Sequence, residues 1–481
     1  MPRGFGRLFT DPRHLWFFQT APDDATPAET WIRGKVLGGS SSVNGMMYFR
    51  GHPEDYEEWQ RMGAAEWGWD SMRRAFEAIE NVEGSSTGPL RLTISANRTE
   101  LSEAFIAAGE SLGVPRVANL NHPGQEGVGY PPWTIHNGRR QSAASAFLKP
   151  ARGRPNLRIE TNTLVDRILF NGTRAVGVAC RRGDLPVEYS TDGEVLVAAG
   201  ALQSPQVLER SGIGESTLLR ELGIPIVSDR SEVGENMLEH RLLMMQYELK
   251  RPLSDNAQFR SWRLILNALR YGLLRSGPMA RGSLEVGAFV KTRTEIERPD
   301  VEILMAPYSI EHTVKHTISS GSNHAMHMFG YPLRSRSRGS IHIRSVNPSM
   351  GAIIKPNYLS DPYDRAVTLS MFRLLRKWVR QPPLAHIVGK EAQPGPAVED
   401  DASIVHAFRA NGAAGFHACG TVRMGRDTTA ALDTRLRVRG VTGLRVIDGS
   451  IMPAMVSANT NGPIMALAWR AAELVREDER G

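Results

Sequence analysis

The sequence predicts an α/β chain, α+β overall, built from two parts of different character. Three observations carry this. Glu194 to Ala199 (EVLVAA) is an apolar strand that ends at Gly200 and gives way to a helix at Ser204-Pro205, a strand–glycine–helix turn. From about Arg241 to Arg409 the chain changes to short alternating segments of the antiparallel kind. Near the start, Gly34 to Gly45 (GKVLGGSSSVNG) is a glycine and hydroxyl loop between a strand-like lead and the run Met46, Met47, Tyr48, Phe49. A chain of 481 residues is long enough for two domains.

Composition excludes several classes. The formal charge is +7, but the basic residues are scattered, and Arg334, Arg336 and Arg338 alternate with serines as a solvated strand face would. Nucleic-acid binding is therefore not expected, since such a footprint gathers charge on one face. No amphipathic basic helix stands out to meet an anionic membrane surface. No apolar run is long enough to span a bilayer, and the opening Met-Pro-Arg-Gly-Phe-Gly lacks a signal-peptide core. Cys180 and Cys419 are the only cysteines, so neither a disulfide framework nor a metal site is expected, and a cytoplasmic setting fits.

Taken in order, the first thirty residues read as irregular, with no strand followed by G-x-G-x-x-G and a helix. In the loop after them, Gly38 and Gly39 allow backbone to approach a ligand, and Ser40, Ser41 and Ser42 offer hydroxyls to a phosphate or another electron-rich group; the alternative is a capped surface turn. Tyr56 to Asn81 reads as helical, with Trp59, Trp67 and Phe76 as packing residues. Glu100 to Leu112 is an amphipathic helix. Asn137 to Ser142 is a turn leading into a helix start. Strands are expected over Leu157 to Phe170, Ala175 to Arg181, Ser340 to Arg344 and Asn357 to Leu359, and a helix over Arg365 to Arg380. Glu285 reads as a solvated or salt-bridged carboxylate before it reads as a pocket charge. His417 stands in an apolar, glycine-bounded segment, and histidine is the side chain best suited to moving a proton near neutral pH. Asn459 and Asn461 precede Pro463, which suits the first turn of a helix over Ile464 to Glu477 and makes the asparagines candidate caps.

Four segments together carry a resemblance. Gly34 to Glu57 (GKVLGGSSSVNGMMYFRGHPEDYE), Gly200 to Gly214 (GALQSPQVLERSGIG), Phe416 to Gly425 (FHACGTVRMG) and Ser457 to Pro463 (SANTNGP) resemble, in order, the two signatures, the active-site histidine segment and the second active-site segment of the glucose-methanol-choline (GMC) family of flavin oxidoreductases. The resemblance implies an FAD-binding Rossmann-like domain, N-terminally incomplete, over 1–98, 138–240 and 411–481. It implies an antiparallel-sheet substrate-binding domain over 99–137 and 241–410. Gly38, Gly39, Ser40, Ser41, Asn44, Gly45, Val165, Gly200, Asp448, Gly449, Asn461 and Pro463 would then contact FAD. Val165 would do so through its backbone, unless it is simply a core strand residue. Glu232 to His240 resembles the family's glycine–asparagine turn beside the flavin domain. Val43 stands where some members carry a histidine bonded covalently to the flavin, so the FAD is expected to be non-covalent.

By the same resemblance, His417 and Asn459 would be catalytic. His417 would be the sole base, because Asn459 can only donate and accept hydrogen bonds. The implied activity is oxidation of a primary alcohol to an aldehyde by hydride transfer to flavin N5, and the likeness is nearest to choline dehydrogenase-like and aliphatic alcohol dehydrogenase members. The partner is a small-molecule alcohol. The electron acceptor (a quinone or oxygen), the oligomeric state and a peripheral membrane location stay open. A hydroxynitrile lyase on the same fold and a flavin-less binding protein are the alternatives. The opening lacks the family's dinucleotide-binding βαβ unit, which suggests a misassigned start, and the chain made alone is expected to be poorly soluble or flavin-free.

Overall fold

The computed structural model describes residues 1–84, 86–312, 318–320 and 324–480. Its largest sheet runs, in spatial order, Val388–Gln393, Arg241–Leu249, Ala325–Pro332, Val301–Ala306, Val286–Val290 and Gly127–Gly129. Every neighbouring pair is antiparallel, and Ala413–Ala414 pairs with the start of Arg241–Leu249. The period of two decides what each face meets. Val286, Ala288, Val290, Val301, Ile303 and Met305 pack toward the helices Glu100–Ser111 and Pro362–Val379. Phe289 and Leu304 point the other way, onto Met46, Met47, Phe49 and Trp133. The aromatic run after the glycine loop is thus the floor of the sheet's second face.

Between the two helices, Trp378 Nε1 donates to the Phe105 carbonyl at 3.0 Å, and the two rings lie 5.1 Å apart. Gly109 makes this crossing possible, because a Cβ there would come within 2.5 Å of the Trp378 ring.

A second core gathers Trp59, Trp67, Phe76, Val197, Leu444, Val446 and Leu467. Here Val195–Val197 pairs in parallel with Leu444–Val446. The predicted turn follows: Gly200 has φ +84 and the helix Ser204–Arg210 begins after it. The C-terminal helix Asn461–Asp478 packs on Trp69–Ile79. Beside this lies an antiparallel sheet of Leu164–Asn171, Arg174–Arg182 and Leu185–Ser190.

Several expectations are corrected. The first thirty residues are not irregular: Leu15–Gln19 pairs antiparallel with Thr30–Gly34, Leu15 opposite Gly34. The ten residues between these strands hide the pair from any short-range turn signal. The helical stretch over 56–81 is two helices, Pro53–Arg61 and Trp69–Ile79, parted at Gly63 with φ +97. The strand expected from Leu157 begins at Leu164, because Asn162 takes φ +55 and turns the chain. Asn357 and Leu359 take φ +53 and +56 and form no strand; the partner of Ser340–His342 is Ile353–Lys355.

Arg334, Arg336 and Arg338 do not share a strand face. Arg334 donates to the Pro299 carbonyl at 2.6 Å and to Ser457 Oγ at 3.1 Å, and Arg336 lies 4.1 Å from the Tyr363 ring centre. An amphipathic basic helix does exist, at Ser261–Leu274, and its aliphatic side chains are on the outside.

Replacing Phe105 by Ala removes a fully buried ring from the helix crossing. We expect a loss of about 3–5 kcal/mol, read as a lower urea midpoint in equilibrium unfolding.

Candidate active site

The site begins where three distant segments meet. His417 Nδ1 lies 2.9 Å from His240 Nδ1, and His240 Nε2 lies 2.9 Å from the Leu333 carbonyl oxygen. A carbonyl only accepts, so His240 carries its proton on Nε2. Its Nδ1 therefore holds a lone pair and accepts from His417 Nδ1–H. That leaves the lone pair of His417 on Nε2, where Asn459 Nδ2 donates at 3.0 Å. The chain Leu333–His240–His417–Asn459 has one consistent direction of protons. It presents His417 as a neutral imidazole with its basic nitrogen toward Asn459.

Burial supports the neutral forms. It pushes His240 down to about 4. It also pushes His417 well below its ordinary value, helped by the nearby Arg33 charge. The Tyr331 ring covers both, 4.5 Å from His240 and 5.7 Å from His417.

Two buried carboxylates hold the segments. Glu239 Oε1 accepts from the backbone N–H of both His240, at 2.9 Å, and His417, at 2.7 Å. Burial raises its pKa to about 7 against the opposing pull of Arg33, which stands 3.9 Å away. Asp55 accepts from Ser457 N at 2.7 Å and Ser457 Oγ at 2.8 Å, while Arg298 donates to it at 3.0 Å. The segment bearing Asn459 is thereby tied to the first helix after the glycine loop.

The glycine loop is also stitched from inside. Ser41 Oγ donates to the Gly38 carbonyl at 2.5 Å and accepts from Ala143 N at 2.9 Å. Ser42 Oγ donates to the Leu37 carbonyl at 2.8 Å, and Ser40 Oγ accepts from Gly34 N at 3.2 Å. The hydroxyls read as ligand donors thus close the turn itself, and the loop offers backbone. Arg140 donates to Asn44 Oδ1 at 2.6 Å and orients that side chain.

Asp448 likewise organises its neighbours. Its Oδ2 accepts from Gly200 N at 2.9 Å and Ser204 Oγ at 2.5 Å, and its Oδ1 from Ser450 N at 2.8 Å. The histidine segment runs alongside, with Gly420 N donating to the Gly449 carbonyl at 3.1 Å. Gly462 brings the C-terminal helix against the aromatic run, since a Cβ there would stand 2.4 Å from the Phe49 carbonyl oxygen.

Neither asparagine is a cap. The helix starts with Thr460 at its N-cap and no side-chain capping bond, and Pro463 sits buried in the first turn. Asn459 Oδ1 and Asn461 Nδ2 are buried without a protein partner among the described residues. A Cβ at Gly39, Gly45 or Gly200 would meet nothing within 4 Å. Buried unpaired amide atoms at a helix N-terminus, with open space at these glycines, fit the polar edge of a flavin ring. Val165 stands apart, in the Leu164–Asn171 strand, with its side chain 37% exposed, so it is not core. Glu285 is buried and spent: Ser102 Oγ donates to it at 2.9 Å, and Arg3 and Arg281 stand at 3.4 Å.

His240, Glu239, Asp55 and Tyr331 had no role in the sequence reading. The Glu239-His240 pair closes the Glu232 to His240 segment that resembles the glycine–asparagine turn, which was its only signal.

Comparison with known proteins gives a consistent result. GMC oxidoreductase family models match residues 24–242 and 335–468. The chain is 36% identical to human mitochondrial choline dehydrogenase over 486 residues, covering 99% of this chain and 81% of that protein. It is 36% identical to an alcohol dehydrogenase [acceptor] of Pseudomonas putida, covering 99% and 88%. The crystal structure of pyridoxine 4-oxidase from Mesorbium loti superposes with TM-score 0.88 at 27% identity, covering all of this chain and 91% of that one.

The proton order predicts the rarer Nδ1–H tautomer for His417. In ¹⁵N-histidine NMR between pH 6 and 8, its Nε2 is expected at the shift of an unprotonated ring nitrogen. A protonated Nε2 would contradict the order.

Proposed function

Because the chain belongs to the GMC oxidoreductases, whose cofactor is FAD, we propose that it oxidises a primary alcohol to an aldehyde with His417 as the base. The observation that carries this is the neutral His417 Nε2, exposed to Asn459 and held by a one-way hydrogen-bond chain. FAD, when bound, accepts the hydride that leaves the alcohol carbon. The chain's residues do the rest. His417 Nε2 accepts the hydroxyl proton, and Asn459 Nδ2 donates to the same oxygen and fixes the carbon's approach. As His417 becomes cationic, its Nδ1–H bond to His240 persists, and His240 passes the polarisation on to the Leu333 carbonyl. Backbone at Gly38, Gly39, Asn44, Gly45 and Gly200, and the N-terminus of the Asn461–Asp478 helix, would hold the cofactor. That helix N-terminus would favour a negatively charged group placed against it. The buried Val43 offers no nucleophile for a covalent link.

We assign the FAD-binding part to 1–98, 138–240 and 411–481 and the substrate part to 99–137 and 241–410. The pairing of Glu285 with Arg3 and Arg281 bears on specificity. A carboxylate already neutralised by two guanidiniums is a poor receptor for a quaternary ammonium, so an uncharged primary alcohol is favoured.

Three outcomes test this. Mixed anaerobically with the FAD-loaded protein, a primary aliphatic alcohol is expected to bleach the flavin. His417→Ala should slow that step by about 10²-fold or more; near-wild-type bleaching would remove His417 from the role. The sign of the pH effect follows from burial. A base held below the ordinary histidine range of about 6.5 is already deprotonated there. The acid limb of kcat/KM should therefore level off below that pH.

A further inference from the structure

We propose that the helix Ser261–Leu274 is a docking face for an anionic lipid bilayer. Its packing is inverted relative to an ordinary surface helix. The polar residues are inside: Asn267 and Tyr271 are buried, with Asn267 Nδ2 donating to the Gln258 carbonyl at 2.9 Å and Tyr271 Oη to the Gly138 carbonyl at 3.1 Å. The large apolar residues are outside: Trp262 is 65% exposed, Ile265 64%, Leu266 55%, Leu269 58%, Leu273 82% and Leu274 71%. At 3.6 residues per turn, Trp262, Leu266, Leu269 and Leu273 fall on one line, and Ile265 widens it. Among the described residues, no other helix exposes such a row.

Charge selects the occupant. From Asn256 to Ala280 the chain carries four arginines, at 260, 263, 270 and 275, and no acidic residue; Arg281 pairs with Glu285 and is not part of the face. Arg263 and Arg270 are seven residues apart, so both border the same side of the apolar line. Arg275 ends the helix against Gly138, which brings the exposed Arg139 of that turn beside it. An apolar face bordered by arginines, with tryptophan at one end, suits the boundary between acyl chains and anionic headgroups. Its length of about 21 Å and its polar underside suit a helix lying in that boundary, and no helix among the described residues is long and apolar enough to cross a membrane. A second copy of this face would be a poor occupant, because it would set two acid-free arginine borders against each other.

The face also adjoins the site. The turn that accepts the Tyr271 hydrogen bond carries Arg140, which donates to Asn44 Oδ1 and to the Ser41 carbonyl. A docked bilayer would lie one hairpin away from the glycine loop.

The test is co-sedimentation of the purified chain with vesicles of phosphatidylcholine alone and of phosphatidylcholine mixed with phosphatidylglycerol. We expect binding to the mixed vesicles, weakened by salt. The L269Q/L273Q variant, altered only at exposed positions, should bind about tenfold less or weaker still, with an unchanged circular dichroism spectrum. R263Q/R270Q should lose the preference for anionic over neutral vesicles. Bromine-labelled acyl chains should quench wild-type fluorescence, and W262F should lose most of that quenching. The proposal is overturned if the wild-type chain binds neither vesicle, or if L269Q/L273Q binds as the wild type does. It is also overturned if light scattering shows a wild-type dimer that this variant dissociates, which would assign the face to self-association.

Discussion

A base that must work inside a protein needs its lone pair on a particular atom, and here a backbone carbonyl decides which one. The Leu333 carbonyl can only accept, which directs the proton of His240, then that of His417, and finally the hydrogen bond from Asn459. Leu333 sits just past the end of the Ala325–Pro332 strand, His240 just before Arg241–Leu249, and those strands are neighbours in the large sheet. The register of one antiparallel pair therefore sets the chemistry of a residue far along the chain. Shifting either strand by one residue would turn the carbonyl or the imidazole away.

The buried carboxylates around this chain share one purpose. Glu239, Asp55 and Asp448 each accept from backbone N–H groups of irregular segments that no helix or strand would satisfy. Burying such groups unpaired would be costly, and a carboxylate with two oxygens can satisfy several at once. The expense appears in Glu239, whose pKa burial raises to about 7. The glycine loop solves the same problem with hydroxyls. Ser40, Ser41 and Ser42 close it internally, so its outer side can remain backbone.

The Ser261–Leu274 helix shows why amphipathicity alone does not assign a face. Its leucines are exposed, and Asn267 and Tyr271 are the residues that anchor it, through bonds to Gln258 and Gly138. Polar groups with specific partners have taken the inner side, and the apolar side is left for something outside the chain.

The sequence by itself determined the order of the four motifs, the strand–glycine–helix turn at Gly200, the helices at Glu100, Arg365 and Pro463, and the pairing of His417 with Asn459 as the residues of interest. The turn and the helices rest on local periodicity and on glycine and proline geometry; the motif order and the two site residues rest on the resemblance of four short segments to a known family. Only the tertiary structure decided the tautomer of His417, the service of Asp448 and the serines to their own turns, the neutralisation of Glu285, and the outward face of Ser261–Leu274. The reason is common to all four. Each depends on which partner a polar or apolar group meets, and in several cases that partner lies more than a hundred residues away: His240 for His417, Gly200 for Asp448, Ser102 for Glu285, Gly138 for Tyr271. Local pattern limits what a side chain can do; packing selects which neighbour it does it with.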